Sequence, residues 1–214
     1  DESVRRRQEL SDAQIRMMQA QLNPHFLYNT LDTVKWMGKI NQVPEVATVA
    51  ADLADILRSS ISGDEFVTLE QELLTLRRYV EIQSIRFPGK FTLETDVDEA
   101  AMDVLVPKLM LQPIVENSII HGFADSGGRI EVRARMSGEE LEVTVQDDGC
   151  GMSEESLRRF REPGTDEKRH HLGLRNVDAI LRLHYGEDHG LRFPPADGRG
   201  TCVEISLPAR FEEG

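Results

Sequence analysis

The residues best suited to chemistry in this sequence fall into five short groups. The first is NPHFLYN, Asn23 to Asn29, where His25 sets an imidazole beside Pro24. Proline has no amide hydrogen and crowds the carbonyl four residues back, so a helix accepts it only with a kink or a loosened turn. Asn29 follows His25 by four residues, about 40° round an α-helix, so both side chains face one reactant. Taken alone, the same residues describe a helix that bends and carries a polar pair on its surface. The second group is LMLQPIVENSIIHGF, Leu109 to Phe123, a helix in which Ile114, Val115 and Ile119 are apolar while Asn117 and His121 share another face. An amide oxygen is a neutral hard ligand, suited to a Mg²⁺ that already carries the negative charge of a triphosphate. A buried helix with a cap-like Asn fits the segment as well.

The third group is VQDDGCGM, Val145 to Met152, where a strand runs into Asp147, Asp148 and two glycines, Gly149 and Gly151. A carboxylate at a strand end accepts a hydrogen from the exocyclic amine of adenine, and the glycines allow tight turns and close approach of backbone to a base. By itself the motif is an acidic turn after a strand. The fourth is LGLRNV, Leu172 to Val177, in which Gly173, Leu174 and Arg175 open a helix after the polar segment Ser153 to His171. Unpaired amides and a positive dipole end make a helix start a place for phosphate. The fifth, GRGT, holds Gly198, Gly200 and Thr201 ahead of the final strand and is, alone, a turn signal.

Two kinds of element must position these groups. From about Ser11 to Lys39 the apolar residues Ile15, Met18, Leu22 and Phe26 recur at three- and four-residue intervals, the stripe of one long amphipathic helix. A turn at Asn41 to Pro44 leads to a second helical pattern through Val46, Val49, Leu53, Ile56 and Leu57, which breaks at Ser62 to Asp64. Thr68 and Gln71 have capping-box spacing and start a third helix that stops near Pro88 and Gly89. Residues 1–87 are therefore expected to be helical, and a hairpin this thin buries its stripes by packing on a second copy as a four-helix bundle. Beyond Gly89, FTLETDV, RIEVRARM, ELEVTVQD and the series Val203, Ile205, Leu207 alternate with period two, while Lys108 to His121, Glu154 to Phe160 and Leu174 to His184 are helical in pattern. Residues 88–214 are thus expected to form a mixed sheet layered against helices.

Composition narrows the partners. The 214 residues suit two compact units, and a formal net charge of -13, from 38 acidic against 25 basic residues, repels nucleic acid and anionic lipid. The two cysteines, Cys150 and Cys202, lack paired metal-ligand spacing and point to a reducing compartment. No stretch approaches the roughly 20 apolar residues of a membrane span. The opening DESVRRRQEL has neither signal-peptide character nor an initiating Met, so the chain is expected to begin partway through a longer protein with an upstream sensor.

With His25 on a helix, then Asn117, Asp147, Gly149, Gly151, Gly173 and Gly200 in order along an α/β half, the chain resembles the sensor histidine kinases of the LytS type, whose helical region carries an NPHFLYN-like box. The resemblance covers nearly the whole chain. It implies an α+β protein: a helical hairpin dimerising as a four-helix bundle, then an α/β sandwich that binds ATP, of the type shared by gyrase, Hsp90, histidine kinases and MutL. It implies that His25 is the phosphoacceptor, that Asn29 matches the polar residue that orients water in dephosphorylation, that Asn117 binds Mg²⁺ and that Asp147 binds adenine. Gly149 and Gly151 match the first glycine box, Gly173 the second, and Gly198, Gly200 and Thr201 the third, with Ser153 to His171 as the lid. Leu174 and Arg175 adjoin the second box, and His121, one turn after Asn117, is a candidate for the phosphate region. The implied partners are a second copy of the chain and a response-regulator receiver domain whose Asp accepts the phosphoryl group. The implied location is the cytoplasmic portion of a membrane protein.

The chain departs from the family pattern in three places. His171-Leu172-Gly173 replaces the usual Gly-x-Gly of the second box. Ile120 replaces a common basic residue, leaving Lys168, Arg169 or Arg175 to neutralise phosphate. Phe26 follows His25 where many histidine kinases have an acid, so no general base is assigned and Glu116 is the candidate. An ATP-hydrolysing clamp like Hsp90 would need a Glu one turn before Asn117, where this chain has Pro113, which cannot act as a base. A serine kinase with a similar ATP site leaves NPHFLYN without a task. A binding scaffold without catalysis is the remaining alternative, separable by nucleotide binding without phosphate incorporation.

Overall fold

The computed structural model describes residues 24–61, 63–123, 127–161, 172–196 and 199–212. The chain divides into two compact units, one ending at Gly63 and the other beginning at Asp64. The described part of the first is a helical hairpin of α1 (Pro24–Ile40) and α2 (Pro44–Ile61). Gln42, at φ +57°, takes the left-handed conformation that ends α1, and the Val43 N–H returns to the Gly38 carbonyl at 2.8 Å. Tyr28, near the start of α1, lies 5.5 Å beneath the Arg58 guanidinium near the end of α2. Trp36, Met37 and Ile40 on α1 are exposed. The stripe through Ile15, Met18 and Leu22, and the bend expected ahead of Pro24, lie outside the described residues.

The second unit opens with β1 (Phe66–Thr68) and α3 (Leu69–Arg86). Both halves of the expected capping box form: the Gln71 N–H donates to Thr68 Oγ1 at 3.3 Å and the Thr68 N–H to Gln71 Oε1 at 3.2 Å. Next come β2 (Phe91–Val97), β3 (Leu105–Pro107), α4 (Gln112–Asn117), a π-helical turn (Ser118–Gly122), β4 (Gly128–Ser137), β5 (Glu140–Asp147), α5 (Glu154–Arg161), α6 (Leu172–Tyr185) and β6 (Cys202–Pro208). The main sheet has the order β2-β4-β5-β6, with β2 parallel to β4 and the other pairs antiparallel. β1 and β3 pair separately as a two-stranded antiparallel sheet that the sequence pattern does not reveal.

Ile130, Val132 and Ala134 of β4, Leu141, Val143 and Val145 of β5, and Val203, Ile205 and Leu207 of β6 are buried. With Leu69, Leu73 and Leu76 of α3, Ile114 and Val115 of α4, and Leu174, Val177 and Leu181 of α6 they form the core. The alternate residues of β2 and β4 are charged and paired at the surface, as between Arg129 and Glu94 at 2.7 Å and Arg133 and Glu131 at 2.6 Å. Pairs this exposed add little stability.

The compact units divide at residue 63, so α3 falls in the unit with the sheet. Its buried face packs into the core, and the Leu69 N–H donates to the Val104 carbonyl at 2.8 Å. The helix expected from Lys108 starts only at Gln112, because Leu109 sits at φ +60° in a turn. That turn is held from α3: the Leu109 and Leu111 N–H groups each donate to the Glu72 carboxylate at 2.9 Å.

Glu72 is 2% exposed. Burial pushes its carboxyl up to about 7, against the N–H groups of Leu111, Leu109 and Met110, which favour the ionised form. With the native pKa raised above the ordinary 4.5, its proton-linked stabilisation is complete below pH 4.5 and is lost as the pH rises through about 7. The unfolding free energy is therefore expected to fall by about 2 kcal/mol between pH 5.5 and pH 8. Denaturant titrations at the two pH values check this, and Glu72→Gln should flatten the difference.

Candidate functional site

β5 carries Leu141, Val143, Val145 and Asp147 on its inward face, so the strand's periodicity delivers a carboxylate to the edge of an apolar core. Asp147 is 2% exposed and must be satisfied by hydrogen bonds. Oδ1 accepts from the N–H of Gly149 and of Thr201, each at 3.0 Å, and Oδ2 accepts from the Ser118 hydroxyl at 2.7 Å. A carboxylate offers about four lone-pair positions. Three are filled by the chain, which leaves one acceptor position for a donor on a ligand.

The surrounding backbone is drawn in tightly. The Cys150 N–H donates to the Gly122 carbonyl at 3.0 Å and the Asp147 N–H to the Thr201 carbonyl at 2.9 Å, so the turn after β5 is joined to the π-helical turn on one side and to the start of β6 on the other. A Cβ at Gly149 would lie 2.5 Å from the Gly122 carbonyl oxygen. One at Gly200, which also has φ +107°, would overlap the Asp147 carbonyl. Glycine at both places is therefore a condition of the backbone coming together around the carboxylate.

Asn117 is the last residue of α4, half-buried, directly before Ser118. α4 packs closely on α6, where a Cβ at Gly173 would lie 3.1 Å from Pro113 Cβ. Leu174 is buried behind it, and the Arg175 guanidinium donates to the Arg159 carbonyl of α5. Phe160 of α5 stacks edge-on against Phe193, with ring centroids 4.9 Å apart. His121 is exposed in the π-helical turn, where its carbonyl accepts from Cys150 Sγ at 3.3 Å. The charge of Glu116 falls on Tyr79 of α3, where it adds to burial in raising the phenol pKa.

The structure thus gathers Asp147, Gly149, Gly200 and Thr201, with α4 and its Asn117 alongside. Gly151 stands at the rim, at φ +78°, its Cβ position 2.9 Å from the Gly200 carbonyl oxygen. On α1, Asn29 is exposed and its carbonyl accepts from Thr33 Oγ1 at 2.8 Å. The His25 side chain, Gly198 and residues 162–171, among them Lys168, Arg169 and His171, lie outside the described residues. Ser118 is a site residue that motif spacing alone does not single out. The signal for it is a polar residue on the buried stripe of Ile114, Val115 and Ile119.

The remaining acceptor of Asp147 and the close glycine backbone around it fit the amine edge of a purine. Among the described residues no cluster of His, Cys, Asp or Glu could hold a metal by itself. The amide oxygen of Asn117 fits a Mg²⁺ that arrives already bound to a triphosphate, not one held by the protein alone.

The histidine kinase family pattern matches residues 13–91, and that of the histidine kinase-, DNA gyrase B- and HSP90-like ATPases matches residues 102–210. Among curated relatives, the sensor histidine kinase YesM of Bacillus subtilis is 32% identical over 99% of this chain and 36% of its own length. The sensor histidine kinase/phosphatase LytS of Staphylococcus aureus is 30% identical over 95% of this chain and 36% of its own. The chain spans a little over a third of these relatives. The catalytic domain of the histidine kinase ThkA superposes with a TM-score of 0.54 at 18% identity, over 69% of this chain and 97% of that one. The mycobacterial sensor histidine kinase MprB gives 0.50 at 21%, over 69% and 99%. The chain belongs to the sensor histidine kinase family: a helical region followed by an α/β ATPase domain of the histidine kinase catalytic type. Among the described residues no helix is long and apolar enough to cross a membrane.

Proposed function

We propose that this chain is the kinase core of a two-component sensor: it binds ATP at Asp147, phosphorylates its own His25 and passes the phosphoryl group to an Asp of a response regulator. The observation that carries the reading is the buried Asp147 carboxylate with three internal donors and one acceptor position left for the amine of adenine. Asn117 would hold the Mg²⁺, which with the triphosphate supplies the transferable phosphoryl group and neutralises its charge. Gly149, Gly151, Gly200 and Thr201 form the base pocket, and the start of α6 at Gly173, Leu174 and Arg175 offers amides and a cation to phosphate. Gly198 extends the third glycine box, and His121 stands one helical turn beyond Asn117 for the same phosphate region.

On the helical unit, the neutral imidazole of His25 attacks the terminal phosphorus. The bond from that phosphorus to the bridging oxygen breaks, ADP leaves with the electron pair, and the imidazole loses its other ring proton to a base or to water. A histidine near its unperturbed pKa of about 6.5 already presents the neutral form at neutral pH. Glu116 is the carboxylate proposed as base, and Asn29 the residue proposed to orient water in dephosphorylation. Most of the rate then comes from positioning and charge neutralisation. Trp36, Met37 and Ile40, exposed on α1, support burial of the hairpin against a second copy as a four-helix bundle. The similarity to YesM and LytS supports a cytoplasmic location beneath a membrane sensor.

Incubation with γ-labelled ATP tests the proposal. With Mg²⁺ the chain is expected to gain label that is lost in acid and kept in base, as a phosphoramidate is, and with EDTA to gain none. Nucleotide binding with no label under any activating condition would favour the scaffold reading instead.

A further inference from the structure

We propose that Glu72 is a positioning residue of the nucleotide site: by holding the Leu109–Leu111 turn it sets where α4 begins, and so where Asn117 and Ser118 stand against Asp147. The inference rests on the reading of Asp147, Ser118 and Asn117 as that site.

α4 and the π-helical turn that continues it run only from Gln112 to Gly122, with no side-chain cap at Leu111. A helix this short does not hold its own position. The turn before it is unfavourable as well, because Leu109 adopts φ +60°, a conformation natural to glycine and strained for a branched side chain. Something outside α4 must fix this turn. Glu72 does so with both oxygens, one on the Leu109 N–H and one on the Leu111 N–H, each at 2.9 Å.

The carboxylate is itself firmly based. It lies one turn into α3, whose start is tied by the capping box and by the Leu69 and Glu70 N–H groups donating to Val104 and Met102 carbonyls at 2.8 and 3.0 Å. Glu72 also interrupts a buried stripe of Leu69, Leu73 and Leu76, where an apolar residue would pack without the cost of burying a carboxyl. From Leu111 the chain runs through two helical turns to Ser118, whose hydroxyl is bonded to Asp147. A shift of the turn is therefore carried along α4 into the donor set around the ligand carboxylate.

Calorimetric titration of the full 214-residue chain with ADP and Mg²⁺ tests this. In Glu72→Gln the carboxamide NH₂ meets an amide N–H, one of the two bonds is lost, and the ADP dissociation constant should rise about tenfold. Leu76→Ala, which empties a buried position on the same helix without touching the turn, should lower the melting temperature yet leave ADP affinity within about twofold of wild type. Adding Leu109→Gly to Glu72→Gln should recover most of the lost affinity, since glycine takes the turn conformation unaided. If Glu72→Gln does not fold, Glu72→Asp, whose shorter stem reaches one amide only, carries the same expectation. The role of Glu72 is overturned if its variant binds ADP like wild type, if Leu76→Ala loses as much affinity, or if Leu109→Gly restores nothing. If the unaltered chain bound no ADP, the nucleotide reading would fall too.

Discussion

Asp147→Asn is expected to weaken ADP binding by about a hundredfold or more while leaving the fold in place. The amide oxygen of the new side chain takes the place of Oδ1, where it still accepts the Gly149 and Thr201 N–H groups. The NH₂ takes the place of Oδ2, and the Ser118 hydroxyl, 2.7 Å away in the native chain, turns from donor to acceptor. Every internal bond survives this exchange, so the melting temperature should move by only a few degrees. The ligand fares otherwise, because the adenine amine now meets a second donor. Guanine presents a carbonyl at that position and can accept from the new NH₂, so the preference for ADP over GDP should shrink. Titration with both nucleotides, alongside thermal melting, gives the answer; an ADP affinity within threefold of wild type would remove Asp147 from the base pocket.

His25→Ala should reduce incorporation of γ-phosphate to background and leave ADP affinity unchanged. The residue belongs to the unit that ends at Gly63, whereas the described residues of the proposed nucleotide site lie in the unit that begins at Asp64. Removing a nucleophile costs the covalent product without altering a pocket built from other residues. Asn117→Ala should differ, losing both label and Mg²⁺-dependent nucleotide affinity. Label persisting in His25→Ala would mean that another side chain receives the phosphoryl group.

Much of this was legible in the residue pattern. The period-two runs became β2, β4, β5 and β6, and the Thr68–Gln71 spacing became a formed capping box. The Asp147 motif was visible because two glycines follow closely after an acid at a strand end. Its partners were not, since Ser118 and Thr201 come from 29 residues before and 54 residues after it. β1 and β3 have three residues each, too few to show a period. The apolar neighbours of Leu109 fit a helix, whereas the left-handed turn it forms depends on a carboxylate 37 residues earlier. Glu72, Ser118 and Asp147 share one signature: each is the polar member of an otherwise apolar stripe on its element. A pattern read for apolar periodicity counts such a residue as an interruption, while physically it marks a buried group that must have partners.

The division of the chain shows the same limit. The helical pattern runs to about residue 87, yet α3 is held by the sheet unit through Leu69, Glu72, Leu73 and Leu76. Amphipathic spacing identifies a helix and its buried face without saying which neighbour that face meets.

Phosphorus NMR of the chain after reaction with ATP and Mg²⁺, followed by mass mapping of the modified peptide in base, locates the transferred group directly. A phosphoramidate resonance with the added phosphate on His25 is the predicted result. A phosphoester, or a phosphate on any residue other than His25, would contradict it.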